Sequence, residues 1–242
     1  FKQKTAYEIM PSLVGSEMCI RDREEQMARD PIVIASIART PMGSFQGSLA
    51  SVTAPELGAA AIRASLTRAN IEPNDVSEVI MGCVLPAGQG QAPARQAAIK
   101  AGIPVSVGAT TINKMCGSGM KATMLGHDLI TAGSASIAVV GGLESMSNTP
   151  YLLPKARQGY RMGHSEVKDH MFMDGLEDAY EEGQLMGHFA ENTAEKYQFS
   201  REAQDNFAIR SLKRGILFLN IRLTFYVVRI ALRRFLKSIR IR

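Results

Sequence analysis

The 242-residue chain is 45% apolar, enough for a sizeable core, and carries a formal charge of +5. Nine Lys or Arg and no acid lie from Ser211 to Arg242, while residues 1–26 hold four basic and five acidic groups, leaving −3 for the centre. A mildly acidic centre excludes a basic nucleic-acid footprint there, and the lack of an uncharged apolar run of about 18 residues excludes an ordinary transmembrane helix. Cys19, Cys83 and Cys116 are odd in number, far apart and never arranged as CxxC. That pattern argues against a disulfide framework or a zinc site and for a reducing, cytoplasmic setting.

Residues 1–23, FKQKTAYEIMPSLVGSEMCIRDR, show no period of two or 3.6 and no secretory h-region, and EMCIRDR reads as translated adapter text. Residues 1–26 are therefore expected to be a non-native leader, with a natural start at Met27. PIVIASIA then has the continuous apolar character of a strand buried on both faces. Thr53 and Glu56 have capping-box spacing around Pro55, and AAAIRASL supplies helix formers.

The alternation continues with VSEVIMGCVL as strand, APARQAAIKAG as helix, VGATTIN as strand, MKATMLGHDLITAG as helix and ASIAVVGG as strand. Such alternation predicts an α/β half over 27–144 with a mostly parallel sheet flanked by helices. From 145 to 199 the period breaks, and a substrate-facing loop region is expected. Ser200 suits the N-cap of an amphipathic helix over 200–214 that is expected to return to the core.

Residues 215–242 allow two readings. As a helix, Arg222, Arg229, Arg233 and Arg240 fall on one side, the pattern of a basic membrane-surface helix. The favoured reading is an out-of-frame or foreign tail, because β-branched and aromatic residues form poor helices and the charge changes abruptly.

Cys116, in TTINKMCGSGMKA, falls where a buried strand hands over to a helix N-terminus, whose free N–H groups and dipole favour a thiolate. Gly117 and Gly119 remove side chains beside the sulfur, which would let a planar thioester approach backbone N–H donors. The alternative is a small core hydrophobe with glycines that permit tight helix packing. Cys83, in an apolar strand without a flanking charge, reads as core.

Other motifs fail on spacing. Ser118 lacks the glycines of a nucleophile elbow, Lys121 is not followed by Ser or Thr as a phosphate loop requires, and GQGQAP has Pro93 where a dinucleotide fingerprint needs glycine. His127, His164, His170 and His188 show no paired ligand spacing, so no metal is expected.

INKMCGSGMKA, GGLESMSNTPYLLP and MGHFAENTAEKY together resemble the thiolases, the acetyl-CoA acetyltransferases and acyltransferases, nearly continuously from Pro31 to about Arg214. The resemblance implies the N-terminal half of a layered αβαβα fold. It also implies that Cys116 accepts an acyl group from acyl-CoA, followed by Claisen condensation of two acetyl-CoA or thiolysis of 3-ketoacyl-CoA. Asn113 would brace the loop, the Cys116 amide would serve an oxyanion hole, and Leu176 and Met186 would contact CoA. Coenzyme A enters as substrate carrier, no further cofactor is implied, and the intact protein is expected to be a homodimer or homotetramer in fatty acid metabolism.

Thiolases bring NEAF, GHP and CxG motifs in a second half, and none occurs here. The chain is therefore expected to be a truncated or frame-shifted copy with little turnover. A ketoacyl-synthase-like condensing enzyme and a non-catalytic fragment acting at a membrane surface or on a partner are the runner-up readings.

Overall fold

The computed structural model describes residues 32–224, with side chains as far as Leu217. The expected leader over 1–26 with Cys19, the start at Met27 and the tail beyond Thr224 lie outside the described residues. The chain divides into two units, 1–34 and 35–242, and every element named here belongs to the second.

Helix α1 (Ala54–Ala69) begins on the expected capping box: the Thr53 N–H and hydroxyl donate to Glu56 Oε2 at 2.9 and 2.7 Å. Those hydrogen bonds hold the Glu56 carboxyl below its ordinary range. Strand β1 (Glu78–Gly82), helix α2 (Pro93–Lys100), strand β2 (Gly108–Ile112), helix α3 (Ser118–Thr131) and strand β3 (Ala138–Gly142) follow in the predicted alternation. β1 is central and pairs in parallel with both neighbours, Glu78 opposite Gly108 and Ala138, so the sheet order is β2-β1-β3.

The period of two along β1 sorts its residues between two layers. Val79, Met81 and Cys83 join Ile62 and Leu66 of α1 and the alanines of α2 in the core, where each buried Val, Leu, Ile or Met contributes roughly 1.5–3 kcal/mol. Ile80 and Gly82 face α3, which turns Ser118, Ala122 and Gly126 inward at spacings of four. The approach is close: a Cβ on Gly82 would lie 2.4 Å from Ser118 Cβ and 2.9 Å from its carbonyl carbon. All three strands end at one edge, and the loops carrying Cys83, Asn113 and Glu144 gather there.

Three expectations need correction. Residues 32–40 form no strand, and Ile34 and Ile37 stay 69% and 68% exposed. Hydrophobicity sets what a strand would gain by burial but supplies no partner edge for its N–H and C=O groups. The Ile37 carbonyl is instead met by the Arg68 guanidinium at 2.8 Å.

The stretch 145–199 is not all loop. It contains the antiparallel pair β4 (Tyr151–Leu152) and β5 (Lys168–Asp169), a π turn (Phe172–Leu176) and helix α4 (Met186–Lys196). α4 has helical apolar spacing at Met186, Phe189, Ala190 and Ala194, which the mixed composition around it obscures, although the helix buries almost nothing.

Helix α5 (Arg201–Thr224) starts where Ser200 Oγ accepts the Ala203 N–H at 3.2 Å, as expected, but it runs ten residues past 214 and does not return to the core, its described side chains all being exposed. Extension of a nucleated helix gains one hydrogen bond per residue, which outweighs the modest propensity cost of Ile, Phe and Thr.

Candidate active site

Cys116 is an exposed free thiol on the turn between β2 and α3, two residues before the first helical residue. Met115, just before it, has φ +49°, a left-handed conformation that costs an ordinary side chain energy and persists only where neighbours impose it. Two side chains do so. Asn113 Oδ1 accepts the Met115 N–H at 2.9 Å, closing an Asx turn, while Asn113 Nδ2 donates to the Val84 carbonyl at 3.4 Å. Ser118, buried, accepts the Lys114 N–H at 2.8 Å and donates its hydroxyl to the Met115 carbonyl at 2.6 Å. The thiol therefore stands on a turn braced from both ends.

The glycines divide their roles. A Cβ on Gly117 would meet only the Lys114 carbonyl, at 3.4 Å, so the space beside it is open. The expectation for Gly119 is corrected: its missing side chain faces the Gly141 and Gly142 backbone at 3.7–3.9 Å, where it lets α3 lie against β3 rather than clearing room at the sulfur. The Gly117 and Ser118 N–H groups close the turn onto the Lys114 and Met115 carbonyls at 3.1 and 3.0 Å, which takes them away from an incoming oxyanion.

Cys83 is buried as expected, but not without a charge. Glu144, 61 residues later, places Oε1 3.5 Å from its Sγ. Burial first, and the Glu144 carboxylate second, push the Cys83 thiol up to about 12, so it stays protonated and does not compete with Cys116.

Leu176, half-buried, ends the π turn and exposed Met186 opens α4. The structure brings them to the same base, because Glu177 and Leu185 form an antiparallel bridge and the Asp178 N–H donates to the Gln184 carbonyl at 2.8 Å. The π turn packs on the loop after β1: a Cβ on Gly175 would sit 3.2 Å from Leu85 Cδ2, and His170 Nε2 accepts the Ala87 N–H at 3.4 Å. His170 is buried, and its Nδ1 lies 2.5 Å from Asp174 Oδ2, so the imidazole clamps the β1–α2 loop to the π turn. His127 turns to Asp128 and His188 to Asn192. No group of His, Cys, Asp and Glu suited to a metal occurs among the described residues.

Sequence reading missed Ser118, Glu144 and the His170–Asp174 pair. The last was accessible as an i, i+4 spacing. Glu144 was marked only by its place just beyond a parallel strand, the edge where α/β sheets gather their sites.

These features define an α/β domain that presents a cysteine thiol at the carboxyl edge of a parallel sheet, at the head of a helix. The chain belongs to the thiolase family: the thiolase N-terminal domain matches residues 32–216. The match ends two residues into the stretch read as a foreign tail. Acetyl-CoA acetyltransferase IA of Candida tropicalis is 56% identical over 190 residues, covering 78% of this chain and 47% of the relative. Acetyl-CoA acetyltransferase of Cupriavidus necator is 57% identical over 180 residues, 74% of this chain and 46% of the relative. That of Pseudomonas aeruginosa is 55% identical over 185 residues, with 76% and 47% coverage. The chain thus spans about half the length of the curated relatives it matches. Membership places it with the thiolases rather than the ketoacyl synthases.

Proposed function

We propose that this chain performs the acyl-loading half of a thiolase reaction. Cys116 Sγ attacks the carbonyl carbon of acyl-CoA, the carbon–sulfur bond to CoA breaks, and CoA leaves as a thiol with the proton Cys116 gives up. The acyl group is then held on Cys116 as a thioester. The observation that carries this reading is the exposed thiol on a turn locked by Asn113 and Ser118 directly before α3. The name shared by the relatives, acetyl-CoA acetyltransferase, supports acetyl-CoA as donor.

On this reading the Cys116 amide stabilises the oxyanion, while Leu176 and Met186 contact the pantetheine arm beyond it. In a whole protein of the relatives' length, the acyl group would pass to a second acetyl-CoA by Claisen condensation, or arise from a 3-ketoacyl chain cleaved by CoA in fatty acid metabolism. The NEAF, GHP and CxG motifs of that second step are not in this sequence, so only loading is assigned to these residues. A cytoplasmic homodimer or homotetramer is the matching cellular form. Its support is the family resemblance and the free thiols of Cys83 and Cys116; no helix among the described residues is long and apolar enough to cross a membrane.

Incubating the full chain with acetyl-CoA should add the mass of one acetyl group, localised by peptide mass to Cys116. Cys116→Ser should remain unmodified under the same conditions. Acetyl uptake by that variant would show that the nucleophile lies elsewhere.

A further inference from the structure

Glu144 follows β3 and reaches across to the loop after β1. Its Oε2 accepts the Val84 N–H at 2.8 Å, and its Oε1 accepts the Leu85 N–H at 3.1 Å and the Cys83 thiol at 3.5 Å. Two adjacent backbone donors converging on one carboxylate fix a loop strongly, because neither N–H can be left unpaired in a half-buried place without cost.

The same loop touches the cysteine turn at two points. The Cys83 N–H donates to the Ile112 carbonyl at 2.9 Å, and the Val84 carbonyl accepts from Asn113 Nδ2 at 3.4 Å. Asn113 in turn holds the Met115 N–H at 2.9 Å, and Met115 is the left-handed residue that aims Cys116. A hydrogen-bonded path therefore runs from Glu144 through Val84 and Asn113 to Met115, within hydrogen-bonding reach at every step and with no hydrogen bond between Glu144 and the thiol of Cys116.

We propose that Glu144 is a positioning residue for Cys116: by holding the Val84 and Leu85 N–H groups it sets the carbonyl on which Asn113 braces the cysteine turn. Its relevance to acyl transfer rests on the reading of Cys116 as the acyl carrier, but the coupling itself does not. A carboxylate suits the position because both of its oxygens accept. Glutamine would satisfy one N–H and point an amide donor toward the other. Cys83, protonated beside it, adds a third donor and no competing charge.

The test compares the full chain with Glu144→Gln and Glu144→Ala, using Asn113→Ala as the reference for a loosened turn. Amide hydrogen exchange at Met115 should speed up about threefold in Glu144→Gln and about tenfold in Glu144→Ala. The change should be confined to residues 83–85 and 113–118, with α1 amides unaffected. Acetyl transfer to Cys116 at saturating acetyl-CoA should slow by similar factors, whereas alkylation of the exposed thiol by iodoacetamide, which needs no oriented approach, should keep its rate.

Unchanged Met115 exchange in Glu144→Gln, or exchange rising equally in α1, would overturn the proposal; the second result would make Glu144 merely structural. Should Glu144→Ala not fold, the glutamine variant decides alone. If the unaltered chain takes up no acetyl group, the acyl-carrier reading fails, and the exchange data still decide whether Glu144 governs the turn.

Discussion

The layered region, residues 54–143, and the excursion that follows, 145–217, hold themselves together by different means. In the layers, burial is nearly complete along β1 and the inner faces of α1 and α2. In the excursion Met162 and Tyr180 are 97% and 95% exposed, and every described side chain of α5 is exposed. Apart from the His170 clamp onto the β1–α2 loop and the hydrogen bonds from Asn148 to the Ala50 and Val52 carbonyls, its order comes from local hydrogen bonds: Thr193 Oγ1 to the Phe189 carbonyl at 2.8 Å, Arg201 Nε to Asp205 at 2.9 Å, the Asp178 side chain to the Tyr180 and Glu181 N–H groups at 2.9 Å. The cysteine turn belongs to the first region and the proposed CoA contacts to the second. A reacting atom needs the positional precision of a packed scaffold, whereas a long, flexible substrate arm tolerates contacts of lower local stability.

The sharpest way to break this contrast is to add one methyl group in each region. Gly82→Ala drives a Cβ into the Ser118 backbone, which cannot yield without moving α3 off the sheet, so a loss of about 3 kcal/mol or failure to fold is expected. Gly187→Ala, inside α4 with nothing within 4 Å of the new methyl, should be neutral or stabilising by about 0.5–1 kcal/mol. Urea midpoints of the two variants measure both effects. Comparable losses would show that the excursion is packed as tightly as the layers.

The same contrast explains what could be read in advance. Residues that exchange water for a packed neighbour leave a periodic trace, so β1, α2, β2, α3 and β3 were legible, and so was the junction that carries Cys116. PIVIASIA had the trace without the structure, because apolar character does not reveal whether a partner edge exists. α4 had the trace, at Met186, Phe189, Ala190 and Ala194, but in a stretch whose glycines, prolines and charges read as loop. Asn113, Leu176 and Met186 drew attention only through family resemblance, since neither spacing nor composition singles them out. Glu144 and Ser118 were not legible, because each acts through hydrogen bonds to backbone atoms that composition and periodicity do not encode, in the case of Glu144 some sixty residues distant.

A smaller effect separates buried from exposed titration. The Cys83 thiol ionises near 9.0 in the unfolded chain and at about 12 when folded. Below pH 9 both states keep the proton and stability is unaffected. Between pH 9 and 12 only the unfolded chain releases it, so stability falls as pH rises. Cys83→Ala should flatten this alkaline decline in a series of urea midpoints. Lys168, in β5, is also pushed up, chiefly by the charge of Glu166 and then by Glu182, but both glutamates are exposed to solvent, where such pairs contribute little. Lys168→Ala should leave the alkaline limb where it was. A flat limb in the unaltered protein would mean that Cys83 is not held as these contacts imply.

The smallest expected difference lies between two helix caps. Thr53 and Ser200 both start helices, but α1 is welded to the core through Ile62 and Leu66, whereas α5 presents no buried side chain among those described. Removing an N-cap costs about 1 kcal/mol of helix stability. In α1 that loss passes to the whole domain, since the helix cannot fray without exposing core, and Thr53→Ala should lower the global urea midpoint accordingly. In α5 the loss stays local. Ser200→Ala should leave the global midpoint within error while amides at the start of α5 exchange several-fold faster, because unfolding that helix does not depend on unfolding the layers. A matching fall in the global midpoint would place α5 inside the cooperative unit and end the distinction between the two regions.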